Sequence, residues 1–418
     1  MTAAEDMSRN AAERAAERAA RESYGRLVAL LARRTSDVAA AEDVLGDAFG
    51  EALATWPTSG VPRSPEAWLM AVAKRKHLDL LRRAQTAAMA ERDVALVFAL
   101  DERETTAAPA IPDERLGLMF ACAHPAIDET IRAPLILQTV LGFTAAEIAS
   151  AFLVAPGAMG QRLVRAKAKI KSAGIGFQVP ERDDLTERLD AVLDAIYAAY
   201  AVGWSDATGR DTRDLAGEAI WLGRIVVALL PEQPEAAGLL ALMLHADARH
   251  DARRDADGGF VPLSEQDATR WNLASIDEAE ALLRQAAAMN VVGRFQLEAA
   301  AQSVHAARRV TGQTDWEALV RLYDALHRLT GSPVVTVNRA AAVGAWQGAA
   351  AGLAALGEAE VDTRISDYQP YWATRADLLA KAGDRDAAIA AYSRAIGLAT
   401  DPAVRAFLLR RREACSGG

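Results

Sequence analysis

The chain has 418 residues, 51% hydrophobic, 25% charged and 6% aromatic, which is enough apolar mass for two or three globular cores. A net charge of −9 disfavours nucleic acid as a partner for the surface as a whole, and the lack of a run of about 18 uncharged apolar residues disfavours a membrane span. Cys122 and Cys415 are too isolated for a disulfide framework or a zinc knuckle, and Met1 to Arg21 alternates Ala with Glu and Arg instead of forming a basic-then-apolar leader, so a reducing cytoplasm is the expected location.

Strand patterning is nearly absent and Ala dominates most segments, so the chain reads as all-α. In the first helical stretch, Val44, Leu45, Ala48, Phe49, Ala52 and Leu53 recur at helical spacing. Asp43, Asp47 and Glu51 fall every four residues on the opposite side, joined by Glu42. Such an acidic face is either a solvated surface or a dock for a basic partner. Trp56 to Pro65 (WPTSGVPRSP) then reads as a Pro-bounded loop. Ser64 as N-cap and Pro65 at the first helical position open a second helix. Trp68, Leu69, Val72, Leu78 and Leu81 form its expected buried side, and Lys74, Arg75, Lys76, Arg82 and Arg83 its basic side. A basic helix opening from a rigid loop can grip phosphates while the loop meets unstacked bases, or can simply be a soluble face.

Thr105 to Pro112 reads as a flexible linker and Gly174 to Pro180 as a domain boundary. Between them, Thr144-Ala-Ala-Glu147 has capping-box spacing and starts a short helix with Ile148, Ala149 and Phe152 inward. After a break at Leu153 to Pro156, Met159, Leu163, Ala166 and Ile170 continue at spacings of four, three and four. The second helix carries Gln161, Arg162, Arg165, Lys167 and Lys169, the pattern of a helix-turn-helix with a basic recognition helix. Charge is segregated along the chain: 22 basic and 22 acidic residues lie up to Pro180, leaving 25 basic and 34 acidic for the rest. In the acidic part, Trp372, Ala376, Leu379, Gly383, Ala388, Tyr392 and Ala395 fit one tetratricopeptide unit at about 369–402, stacked on helices expected over Asp315 to Leu329 and Val334 to Leu353.

Taken together, Ala41 to Trp56, Pro65 to Arg83 and Leu141 to Ile170, in this order, resemble regions two and four of an extracytoplasmic-function sigma factor of bacterial RNA polymerase. Asp113 to Ile127, Glu218 to Arg249, Leu263 to Asn272 and Ser332 to Val343 are similar to the subgroup with a long helical, tetratricopeptide-like C-terminal extension. The resemblance implies sigma region two at 20–86, a linker at 87–112, a region-four helix-turn-helix at 113–175 and a helical regulatory extension at 182–418. It implies that Glu42, Asp43, Asp47 and Glu51 dock on the clamp helices of the largest polymerase subunit, with a further contact to the flap region. Trp56, Arg63, Lys74, Arg75, Lys76, Arg82 and Arg83 are implied to engage the minus-ten promoter element, and Thr144, Gln161, Arg162, Arg165, Lys167 and Lys169 the minus-thirty-five element. The charge asymmetry adds the expectation that the extension folds onto the sigma domains and controls their access to polymerase or DNA.

No Gly-rich phosphate loop, nucleophile elbow or paired catalytic carboxylates occur, so neither an enzyme nor a cofactor is expected. Cys122 with His124, and His245, Asp247, His250 and Asp251, are the only metal-ligand candidates, and neither set has the ligands of a stable site. Gln266, Asp267, Arg270, Trp271 and Asn272 are either a ligand pocket or a buried polar network. Two other functions fit parts of the pattern. A one-component helix-turn-helix regulator with a helical sensor domain leaves the first basic stripe and the acidic helix idle, and a tetratricopeptide scaffold leaves both basic stripes idle.

Overall fold

The computed structural model describes residues 3–35, 38–87, 111, 113–172, 180–204, 215–357 and 365–416. Within these, the side chains of 3–8, 21–22, 33–34, 38–39, 83–87 and 171–172 lie outside the description. The described chain is all-α, with a single isolated bridge between Arg254 and Phe260. No described helix is long and apolar enough to cross a membrane. The chain divides into two compact units, residues 1–195 and 196–418.

In the first unit, α1 (Ala3–Thr35), α2 (Val38–Ser59) and α3 (Pro65–Ala87) pack together. The buried stripe of α2 is Ala41, Val44, Leu45, Ala48 and Ala52, all fully covered, as the apolar spacing requires. Leu53 and Leu81, expected inside, are instead 48% and 43% exposed. A second group follows: α4 (Glu114–Cys122), α5 (Glu129–Thr139), α6 (Ala145–Ala151) and α7 (Pro156–Ser172). Asp113 and Asp128 cap α4 and α5 by accepting from the backbone N–H of Leu116 and Thr130. Gly25 of α1 lies so close to the end of α5 that a Cβ there would stand 1.7 Å from the Val140 carbonyl oxygen. The first three helices and the helix-turn-helix group are thus in backbone contact. The linker expected at 87–112 and the boundary expected at 174–180 fall almost wholly outside the described residues.

The division between units falls within α8 (Leu185–Trp204). The second unit continues with α9 (Leu215–Leu229) and α10 (Pro234–Asp247), which is buried along nearly its whole length from Pro234 to His245; a helix apolar on all sides has to be central. It packs against α9, α11 (Leu273–Ala288) and α12 (Arg294–Thr311), and α13 (Trp316–Thr330), α14 (Pro333–Gln347) and α15 (Ala349–Gly357) follow, each packed on the one before. The single helix expected over 334–353 is two, parted at Gly348, whose φ of 97° a residue with a Cβ would resist. The chain ends with α16 (Gln369–Ala382), α17 (Arg385–Leu398) and α18 (Pro402–Ser416). Gly383 in the left-handed conformation ends α16 and Asp384 caps α17, making a tight hairpin. Ala376, Ala388, Tyr392 and Ala395 are buried in it.

Candidate nucleic-acid interface

The helix-turn-helix is built by local chemistry. Thr144 and Glu147 form the capping box: the Glu147 N–H donates to Thr144 Oγ1 at 3.3 Å and the Thr144 N–H to Glu147 Oε2 at 2.8 Å. The Thr144 hydroxyl also donates to Glu147, so its hydrogen-bonding capacity serves the cap. Leu153 makes the turn with a φ of 52°, a left-handed conformation that a non-glycine residue adopts only at a cost of about 1 kcal/mol or more. Ile148, Ala149, Met159, Leu163 and Ile170 close the core beneath.

The outer side of α7 presents Gln161, Arg162, Arg165 and Lys169, all exposed, the Arg165 stem held by a hydrogen bond from Nε to the Gln161 carbonyl at 3.3 Å. Lys167 is elsewhere. It points off this face, its side chain only 26% exposed, and its Nζ lies 2.6 Å from Glu42 Oε2. One residue that belongs to the face escaped the sequence reading. Val164 is 69% exposed between Gln161 and Arg165, and the clue was its place off the buried Met159–Leu163–Ile170 stripe.

The acidic and basic helices of the first group are neighbours, and their charges meet. Glu51 of α2 accepts from Arg75 Nη2 at 2.5 Å and lies 3.1 Å from Lys76 Nζ. These hydrogen bonds, from Lys76 first and then Arg75, hold the Glu51 carboxyl below the usual glutamate range. Asp43 and Asp47 remain exposed on α2, whereas Glu42 is committed to Lys167. On α3, Lys74 is exposed and Arg82 lies 3.5 Å from Asp79. Arg63 is exposed in the connection. The Arg83 side chain lies outside the described residues.

Trp56 is a correction. The sequence placed it at the head of the loop, but α2 continues through Pro57 to Ser59, so the connection is only residues 60–64. Trp56 is 1% exposed and packs edge-on against Trp68 with ring centroids 5.4 Å apart. It is part of the core beside the connection and is covered from solvent.

His124 Nδ1 accepts from the Ala126 N–H at 3.1 Å, and Cys122 is buried. Asp267 caps the short turn Ala268–Arg270, Asn272 caps α11, Trp271 is 3% exposed, and Arg270 donates to the carbonyls of Asp251 and Arg254.

Residues 20–87, spanning most of α1 and all of α2 and α3, match sigma-70 region 2. That match supports a sigma-70 family sigma factor. It points to a role in promoter recognition and implies interaction with core RNA polymerase and promoter DNA. Residues 188–287 of the chain match a family of unknown function (DUF6596). It is 40% identical over 378 residues, 88% of each chain, to an uncharacterized protein of Rhizobium meliloti (strain 1021), and the two belong to one family. No solved structure matches it.

Proposed function

We propose that the protein is an alternative sigma factor of the extracytoplasmic-function type, with region two at 20–86, region four at 113–175 and a helical regulatory extension at 182–418 whose hairpin at 369–402 is tetratricopeptide-like. The observation that carries this reading is the exposed face of Gln161, Arg162, Val164, Arg165 and Lys169 on a capped helix-turn-helix, in a chain whose first helices match sigma region 2. A helix of this kind enters the major groove and reads base edges, while flanking cations hold phosphates; its target is the minus-thirty-five element. At the minus-ten element, Arg63 and the exposed Lys74 and Arg82 hold phosphates while the 60–64 connection meets separated bases; Arg75 and Lys76 are paired with Glu51. Strand opening costs a few kcal/mol per base extruded, and phosphate and pocket contacts supply it. Asp43 and Asp47 are the available acids for the polymerase clamp, since Glu42 and Glu51 are paired within the chain.

The acidic extension controls this activity. Its support is the charge asymmetry about Pro180.

The decisive experiment is transcription in vitro with sigma-free core polymerase on a target promoter. The protein directs initiation and co-purifies with core; failure of both the full chain and a chain ending near Pro180 to bind core would overturn the reading. A truncation with unchanged promoter activity and polymerase affinity would remove the regulatory role alone.

A further inference from the structure

Several arginines of the second unit find acids: Arg224 pairs with Glu278 at 2.7 Å, Arg254 with Asp401 at 2.5 Å and Arg339 with Asp324 at 2.6 Å. Arg249, just past α10, is different. It is 8% exposed, its Nη2 donates to Gln302 Oε1 at 2.6 Å, and its Nη1 is buried with no hydrogen-bond partner. Beside it, Arg253 lies 4.2 Å over the Trp204 ring and donates to the Trp204 carbonyl. Arg308 lies 5.1 Å over the Trp271 ring and donates to the carbonyls of Leu263, Ser264 and Gln266. Among the described residues, none of the three forms an ion pair, although Asp401 stands near enough to Arg253 to favour its charge.

Two histidines stand nearby and are uncharged at neutral pH. His245 on α10 is 2% exposed and neither ring nitrogen makes a hydrogen bond; Glu280 Oε1, 3.4 Å away, already accepts from Ser303. Burial and the charge of Arg249 push the histidine down to about 4, and burial with Arg249 and Arg308 does the same to His305. Burial first, and then repulsion from Arg253 and Arg308, lowers Arg249 itself to about 10, so it stays ionised at neutral pH. An ionised group out of water without a counter-charge costs several kcal/mol, and removing water from a guanidinium nitrogen with no acceptor adds to that. Such an arrangement is stable when an anion completes it.

We propose that the extension is a binding site for a small oxyanion ligand, one bearing a phosphate or carboxylate group, whose oxygens are held by Arg249 with Arg253 and Arg308 beside it. The planar fork of a guanidinium suits two-oxygen recognition of either group. The site is independent of promoter recognition and stands whether or not the sigma reading does.

The test uses the full chain at constant ionic strength, with chloride replaced stepwise by inorganic phosphate or by acetate while thermal unfolding is followed. The expected result is a saturable rise in Tm of about 2–4 °C once the anion is several-fold above its Kd. The rise persists in Arg224→Ala, which removes a surface guanidinium, and is absent in Arg249→Leu. A response to phosphate alone assigns a phosphate-bearing ligand, a response to acetate alone a carboxylate-bearing one, and a response to both an oxyanion site open to either. A flat wild-type response to both anions overturns the proposal, as does an equal rise in Arg249→Leu, which would mark a general salt effect. Should Arg249→Leu fail to fold, Arg249→Lys is titrated by calorimetry, where the site predicts at least a 10-fold weaker Kd and an unchanged Kd refutes it.

Discussion

Lys167 of the recognition helix and Glu42 of the acidic helix, 125 positions apart, meet at 2.6 Å with side chains 26% and 14% exposed. A lysine aligned with the DNA-reading residues and a glutamate aligned with the polymerase-docking residues therefore neutralise each other. Breaking the pair from one side leaves a partly buried charge alone. Glu42→Gln is expected to destabilise the first unit by about 1 kcal/mol, a fall in Tm of about 2–4 °C. Adding Lys167→Met to it should recover part of the loss. Thermal unfolding of the single and double variants checks both, and additive losses would show that the two side chains do not interact.

Gly25 and Gly46 make opposite predictions from the same substitution. A Cβ at Gly25 would overlap the Val140 backbone, whereas one at Gly46 on α2 meets nothing within 4 Å. Gly25→Ala is expected to lower stability by about 3 kcal/mol or more, because a backbone must move. Gly46→Ala is expected to raise it by about 1 kcal/mol through helix propensity. Denaturant unfolding of the two variants gives both signs in one experiment.

Glu51 carries a pH signature. Its carboxyl is lowered from the ordinary value of 4.5 by Lys76 and Arg75, so the stabilisation is fully present above that value and is lost as pH falls through the lower folded-state value. Glu51→Gln should therefore reduce stability at neutral pH and flatten the acid limb of the Tm profile below pH 4.5. Parallel acid limbs in the two proteins would refute the pairing as an energetic contact.

On α7, Arg165→Ala is expected to cost about 1–3 kcal/mol on the cognate upstream element and little on a scrambled one. Lys169→Ala should weaken both sequences alike and reduce the salt dependence of binding by about one unit of slope. Fluorescence anisotropy over a salt series separates the two roles; equal losses for Arg165→Ala on both sequences would remove it from base readout.

Trp56→Ala is expected to cost about 3–5 kcal/mol of stability, since the ring is buried against Trp68. Trp56→Phe keeps most of the apolar volume, so it should leave opening of a minus-ten duplex close to wild type. Permanganate reactivity of the opened strand measures this, and loss of opening in a well-folded Trp56→Phe protein would return the residue to the base-contacting set.

The sequence alone determined the helical character, the Thr144–Glu147 cap and the helix-turn-helix pattern, because these depend on neighbours within four residues. The Thr144–Glu147 box, the Met159–Leu163–Ile170 stripe and the Ala376–Tyr392–Ala395 packing in the last hairpin were all legible as spacing. It also showed that charge is segregated along the chain. Only the tertiary structure decided which charge faces which: that Glu51 is shared by Arg75 and Lys76, that Lys167 turns from the DNA-reading face to Glu42, that Trp56 lies in the core beside the connection, and that Arg249 is buried with no acid beside it. Periodicity reports which side of a helix is apolar, through short-range sterics and hydrogen bonding. Pairings across 24 or 125 positions arise from how helices pack, and the same charge pattern is compatible with many packings until one of them excludes water from a particular pair.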